Sequence, residues 1–350
     1  MSSESSATPL RTFPTSPIPP NPLGEGNYIR TAAALIIGDE ILNGKTLDRN
    51  SNFFARYCFE HGIALKRIEV ISDDEDEIIE ASRRMVNKYD FVVTSGGIGP
   101  THDDITYASL AKSFNQPLAH HSETLRRLEA LTRHRKWALQ QTPQQLEATQ
   151  RMALFPEHAE VFFVGSDIWV PVVRLEGKLC IFPGIPSLFQ RMLTGLTPYL
   201  PLPPLHERPK RIQVFTDRAE SMIAPYLTTL QARLKSRGIQ VGSYPVLSKG
   251  VFVSLIGRDP ISPTPSLSSS LSAQTSTSNN PKSTADPYDT QSSQTLASSS
   301  LALIDIAREV ETEIGGCIVS EEDVVRCKEE GGSFPPTRSS SPQIGAKPKM

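Results

Sequence analysis

Residues Val93 to Thr106 read Val-Thr-Ser-Gly-Gly-Ile-Gly-Pro-Thr-His-Asp-Asp-Ile-Thr, an apolar run that breaks into glycines and then into acids. Gly96, Gly97 and Gly99 carry no Cβ, so backbone N–H groups there can close around an oxyanion. A helix starting just beyond would add its own orphan N–H groups and the positive end of its dipole. Thr101 adds a hydroxyl, and His102 could act as a base or donate to a phosphate oxygen. Asp103 and Asp104 follow at once. Two acids beside such a loop would repel a phosphorylated ligand unless a cation lay between, and Mg²⁺ takes carboxylates, waters and phosphate oxygens together. No Lys-Ser or Lys-Thr pair follows, so this is not a Walker A loop, and it does not match the dinucleotide fingerprint of a first βα turn.

Two further segments carry similar chemistry. Gly38-Asp39-Glu40-Ile41-Leu42-Asn43-Gly44 ends an apolar run, with Asp48 and Asn50 shortly after. Pro183-Gly184-Ile185-Pro186-Ser187 joins another apolar run to a helix. In a parallel sheet all of these would open on the carboxyl edge, where α/β proteins bind ligands. The expected phosphate-binding set is Gly96, Gly97, Gly99, Thr101, Asn50, Gly184 and Ser187. The expected metal set is Asp39, Asp48, Asp103 and Asp104, holding Mg²⁺ with Mn²⁺ or Co²⁺ as alternatives, and Asp48, Asp104 and His102 are the expected catalytic groups. A bound divalent ion also lowers the pKa of an attacking water.

The elements that would position these residues form a βα rhythm. Residues 32–37 read as a buried strand, 51–60 as a helix, 64–71 as a strand, and 91–94 as a third strand. Ser72 with Glu75 has capping-box spacing for the helix between the last two. A helix carrying Tyr107, Leu110 and Ala111 follows the glycines, and residues 117–150 read as a long helical stretch interrupted by Pro143. Short apolar segments then lead to a closing helix over 185–200. Strands apolar on both faces and separated by helices predict a mostly parallel sheet covered on both sides. A Pro-rich linker near 201–204 separates a smaller α+β domain over 208–320, with strands at 211–216, 241–244 and 251–256 and helices at 219–230 and 301–314. Residues 1–29 read as a flexible arm and 325–350 as a loose tail. Residues 261–300 hold 14 Ser among 40 positions, a composition that predicts a disordered insertion.

Among 350 residues, 36 basic and 38 acidic side chains leave a net charge of −2 and no broad basic field, so nucleic acid is not the expected partner. No stretch is apolar and long enough for a bilayer, and the first residues lack a signal-peptide core. The four cysteines show no paired spacing. A cytoplasmic location is expected over a mitochondrial one, with a phosphorylated small molecule (nucleotide, flavin or pterin) as partner and a homo-oligomer left open.

The 38–44 run, the Asp48-Arg49-Asn50 step, the 94–106 segment and the 183–186 turn together resemble the molybdopterin-binding domain superfamily, MoaB/Mog-like. The nearest branch resembles the CinA proteins and the amino-terminal domain of eukaryotic FAD synthase. This resemblance covers residues 30–200 and, through Gly242-Ser243-Tyr244-Pro245, the smaller domain. It implies a three-layer α/β/α fold, and acids at Asp48 and Asp104 arranged around Mg²⁺ and nucleotide. For the CinA and FAD synthase branch it implies metal-dependent pyrophosphatase activity, so the expected reaction is hydrolysis of a nucleotide diphosphate linkage such as that of FAD or ADP-ribose, with adenylyl transfer to molybdopterin and a non-catalytic nucleotide-binding scaffold as the alternatives.

Overall fold

The computed structural model describes residues 12–259 and 302–330, apart from 134, 136 and 248. The chain divides into two compact units between Arg208 and Pro209. The expected disorder of 260–300, and the outer parts of the arm and tail, lie outside the described residues.

The first unit runs β1 (Thr31–Ile37), α1 (Asp39–Leu42), α2 (Asn50–Glu60), β2 (Ala64–Ile71), α3 (Glu75–Lys88), β3 (Phe91–Ser95) and α4 (Thr106–Ser113). It continues through β4 (Leu118–His120), α5 (Ser122–Thr132), α6 (Pro143–Arg151), β5 (Leu154–Pro156), β6 (Glu160–Phe162), β7 (Val172–Leu175), β8 (Leu179–Phe182) and α7 (Pro186–Leu196). The main sheet has the order β2-β1-β3-β8-β7-β6, parallel from β2 to β8 and antiparallel beyond.

Alternation along β1 shows why the sheet is covered twice. Ala32, Ala34 and Ile36 enter one core with Phe54 and Cys58 of α2 and Phe189 and Met192 of α7. Ala33, Leu35 and Ile37 enter the other with Ile78 and Met85 of α3 and Leu110 of α4. Each fully buried large side chain stabilises the fold by about 1.5–3 kcal/mol, so both faces are strongly specified. The result is the three-layer α/β/α arrangement.

Three expectations change. Residues 117–150 are not one long helical stretch: β4 pairs antiparallel with β5, and α5 and α6 are separate helices. Thr142 opens α6 with a capping box to Gln145, and Pro143 takes the first turn, where its missing N–H is harmless. The cap of α3 is Asp74, which accepts from the Glu77 N–H at 3.0 Å, while the Ser72 hydroxyl pairs with the Glu77 carboxylate. The arm is packed from Phe13 onward. Phe13 is buried, and the Arg127 guanidinium lies 3.5 Å from the centre of the Phe163 ring and 5.0 Å from that of Phe13. Arg127 also donates to the Pro14 carbonyl at 2.7 Å, and Tyr199 donates to the Ser16 carbonyl at 2.7 Å.

The second unit runs β9 (Lys210–Thr216), α8 (Glu220–Leu234), β10 (Gln240–Val246), β11 (Gly250–Gly257), α9 (Leu303–Ile314), β12 (Cys317–Val319) and α10 (Glu321–Glu330). Its sheet is antiparallel in the order β10-β11-β9-β12. Helices α8 and α9 cover one face, and Val324 of α10 joins Phe215, Phe252 and Val319 on the other. The tail expected from 325 is thus helical as far as Glu330. The Asp259 carboxylate bridges Lys210 at 2.8 Å and the Leu303 N–H at 3.1 Å, tying the end of β11 to the start of α9.

Candidate functional site

Strand β1 has β2 on one side and β3 on the other, both parallel to it, so the chain reverses its winding at β1. A crevice opens outside the carboxyl ends of strands at such a switch point. Ile36 lies opposite Ser95, so the turns after β1 and β3 leave the sheet side by side.

The first wall of the crevice is a hydrogen-bonded junction. Asn50, the first residue of α2, donates through Nδ2 to Ser95 Oγ at 2.8 Å and to the Gly184 carbonyl at 2.8 Å. Ser95 in turn donates to the Pro183 carbonyl at 3.3 Å. Asp48 Oδ1 accepts from the N–H groups of Asn50 and Ser51 at 2.9 and 3.0 Å, holding the start of α2. Asp48, Asn50, Ser95 and Gly184 line a cleft of about 340 Å³, counted out to open solvent, with Glu40, Ile37, Leu47 and Pro186.

The second wall is the glycine turn. Gly96 has φ +114, and a Cβ there would meet the Ile37 carbonyl oxygen at 2.0 Å. Gly97 has φ +64, and a Cβ would meet Thr106 Oγ1 at 2.3 Å. Only glycine allows this approach of β3 to β1 and of the loop to α4. Thr106 pins the turn, its hydroxyl donating to the Gly96 carbonyl at 3.0 Å and its N–H to the Gly97 carbonyl at 3.0 Å. The N–H groups of Gly97 and Ile98 form no hydrogen bond among the described residues, which leaves adjacent main-chain donors for an anion.

The expected metal ligands do not converge. Asp104 folds into its own loop: Oδ1 accepts from the Gly99 N–H at 2.6 Å, and Oδ2 accepts from the Thr101 N–H at 2.8 Å and from the Thr101 hydroxyl. Asp48 lies at the start of α2. Asp39 and Asp103 are exposed, as are His102 and Ser187. Among the described residues no three His, Cys, Asp or Glu side chains gather closely enough to hold a metal ion. The four expected acids thus form no shared cluster, and two of them, Asp48 and Asp104, hold backbone N–H groups in place.

Asp73 also belongs to this edge. Its carboxylate accepts from the Asp39 N–H at 3.0 Å and lies beside Gly97. Burial raises the Asp73 carboxyl above the usual range, the Asp39 N–H opposes that, and the charges of Asp39, Glu40 and Asp103 add to the rise. Its position just after β2, on the same carboxyl edge, was the available signal.

Residues 33–202 match the family described as "Probable molybdopterin binding domain". A probable FAD synthase of Caenorhabditis elegans is 34% identical over 237 residues, covering 64% of this chain and 45% of that protein. The chain thus spans a little under half the length of that relative. A protein of Pyrococcus abyssi is 33% identical over 242 residues, covering 65% of this chain and 90% of that one. The crystal structure of a CinA protein of unknown function from Thermoplasma acidophilum is 29% identical, covers 49% of this chain and 97% of its own, and superposes with a TM-score of 0.43.

Metal-dependent hydrolysis of a nucleotide diphosphate, the expected reaction, is overturned by these findings. The acids do not form a metal site, and the relatives point to synthesis of a nucleotide cofactor and to molybdopterin binding, with no pyrophosphatase among those named. Among the described residues no helix is long and apolar enough to cross a membrane. With the cleft on the sheet edge of residues 33–202 and the Pyrococcus abyssi relative matched along nearly its whole length, the chain belongs to the MoaB/Mog-like molybdopterin-binding domain superfamily, related to CinA and to the amino-terminal domain of FAD synthase.

Proposed function

We propose that the first unit binds an adenine nucleotide at the carboxyl edge of β1, β3 and β8 and transfers its adenylyl group to a phosphorylated pterin. In that reaction a phosphate oxygen of the pterin bonds to the α-phosphorus of ATP, and the bond to pyrophosphate breaks. The observation that carries the reading is the Gly96-Gly97 turn, whose tight seating against Ile37 and Thr106 leaves the Gly97 and Ile98 N–H groups without partners among the described residues. Fixed main-chain donors of this kind stabilise charge that builds on a phosphoryl oxygen without reorganising. Flavin synthesis is not part of the proposal, since the chain spans 45% of the FAD synthase it matches.

The test is incubation of the full chain with ATP and molybdopterin, with and without Mg²⁺, followed by mass analysis for the adenylylated pterin and for pyrophosphate. Formation of both products supports the reading, and their absence under every condition removes it. A second reading, a nucleotide-binding scaffold, is favoured by one observation: Asp104 is engaged by Gly99 and Thr101 and is not free to act on a substrate. ATP binding by calorimetry without any product would select the scaffold.

A further inference from the structure

We propose that Asn50 selects the nucleotide: its Oδ1 is the acceptor for a neutral N–H or O–H donor on the ligand, either a ribose hydroxyl or an exocyclic amine. This rests on the adenine-nucleotide reading above.

Asn50 is 5% exposed, and its Oδ1 is buried without a hydrogen-bond partner within the protein. The orientation of its amide is not arbitrary. The Gly184 carbonyl can only accept, so the atom facing it at 2.8 Å must be the NH₂ group, and the oxygen is left on the other side. A buried carbonyl with nothing to accept from destabilises a fold by about 1–3 kcal/mol. A cross-link made by an amide could have been made without an orphan oxygen, for instance by a side chain bearing only donors.

Thr94, Ser109 and Ser254 also bury hydroxyl oxygens without partners, but none of them lines the cleft, whereas Asn50 does. The other polar side chains there are Glu40 and Asp48, which accept when ionised, Arg49, which only donates, and the hydroxyls of Thr46 and Ser95, so Asn50 Oδ1 is the buried neutral acceptor without a partner among them. Leu47, 77% exposed, and the exposed Thr46 also line the cleft.

The experiment is calorimetric titration of the full chain with ATP, 2′,3′-dideoxy-ATP and inosine triphosphate, the last two lacking the ribose hydroxyls and the exocyclic amine respectively. Wild-type protein should bind one of the two analogues about tenfold more weakly than ATP, a typical effect of leaving a buried acceptor unpaired. The analogue that suffers identifies the donor as hydroxyl or amine. In Asn50→Leu the ratio should fall to about one. The comparison of the three ligands on wild-type protein needs no variant, so the proposal stays testable if the leucine variant misfolds. Equal binding of all three ligands by wild type, as an internal water would produce, overturns the proposal, as does a ratio that survives in Asn50→Leu. Absence of ATP binding by wild type is a separate outcome that removes the nucleotide reading and this assignment with it.

Discussion

Asp104 grips Thr101 twice, through its backbone N–H at 2.8 Å and through its hydroxyl, while its other oxygen holds the Gly99 N–H at 2.6 Å. The acid that spacing marked as a metal ligand is the staple of the loop that follows the glycines. Asp104→Ala should therefore loosen residues 99–104 and lower stability by about 1–3 kcal/mol, since charge-assisted bonds to backbone N–H groups are lost. Hydrogen exchange at the Gly99 and Thr101 amides, with a urea midpoint, reads this. Unchanged exchange would show that the staple holds nothing.

Gly97→Ala and Gly96→Ala should differ in kind. At Gly97 the obstacle is the Thr106 side-chain oxygen, and the positive φ adds about 1 kcal/mol or more of strain. That variant should fold with a lowered melting temperature and bind ATP weakly. At Gly96 the obstacle is the main chain of Ile37, which cannot turn away, and soluble folded protein should be lost.

Asp73→Asn should stabilise the protein at neutral pH. The folded Asp73 carboxyl titrates above its ordinary 3.8, so the folded state holds its proton more tightly than the unfolded chain does. The ionised carboxylate therefore weakens the fold at pH 7, and this penalty disappears as pH falls through the raised folded value and then below 3.8. Urea midpoints of wild type and variant should be separated at pH 7 and converge under acid. An asparagine oxygen can still accept from the Asp39 N–H, so a loss of stability at pH 7 would count against this account.

Glu123 gives the opposite sign. Arg126 and Arg127 lower its carboxyl from 4.5 to about 2, against a smaller opposing effect of burial. Stability from this group is complete above about pH 4.5 and drains away as pH drops toward 2. Arg127→Met should lower stability by roughly 2–4 kcal/mol through lost packing between Phe13 and Phe163. It should also expose residues 12–18 to limited proteolysis, which reports release of the N-terminal segment independently of the melting temperature.

Strands β1 and β3 were legible as short apolar runs that end in glycine, and β2 through its alternation and β-branched residues, whereas β6, β7 and β8 were read only as short apolar segments. Residues 32–37, 64–71 and 91–94 lie within β1, β2 and β3. Most of the smaller unit was legible too, but helix α10 and the three-residue β12, which carries too little pattern to register, were not. Long-range partnerships were not legible. Asn50 meets Ser95 and Gly184 across 45 and 134 positions, and no local pattern announces such pairs. The ordered segment after Phe13 depends on Arg127, 113 positions from Pro14, and its Ser- and Pro-rich composition pointed the other way. The glycine turn itself was readable, but the hydrogen bonds that Asp48 and Asp104 make to backbone N–H groups were not. Spacing shows that carboxylates share an edge without showing which backbone N–H groups they already hold.

The Asp259 clasp on Lys210 and Leu303 means that the polypeptide exits and rejoins the second unit at one doorway. The end of β11 and the start of α9 are therefore fastened by a single carboxylate, and Asp259→Ala would free both at once.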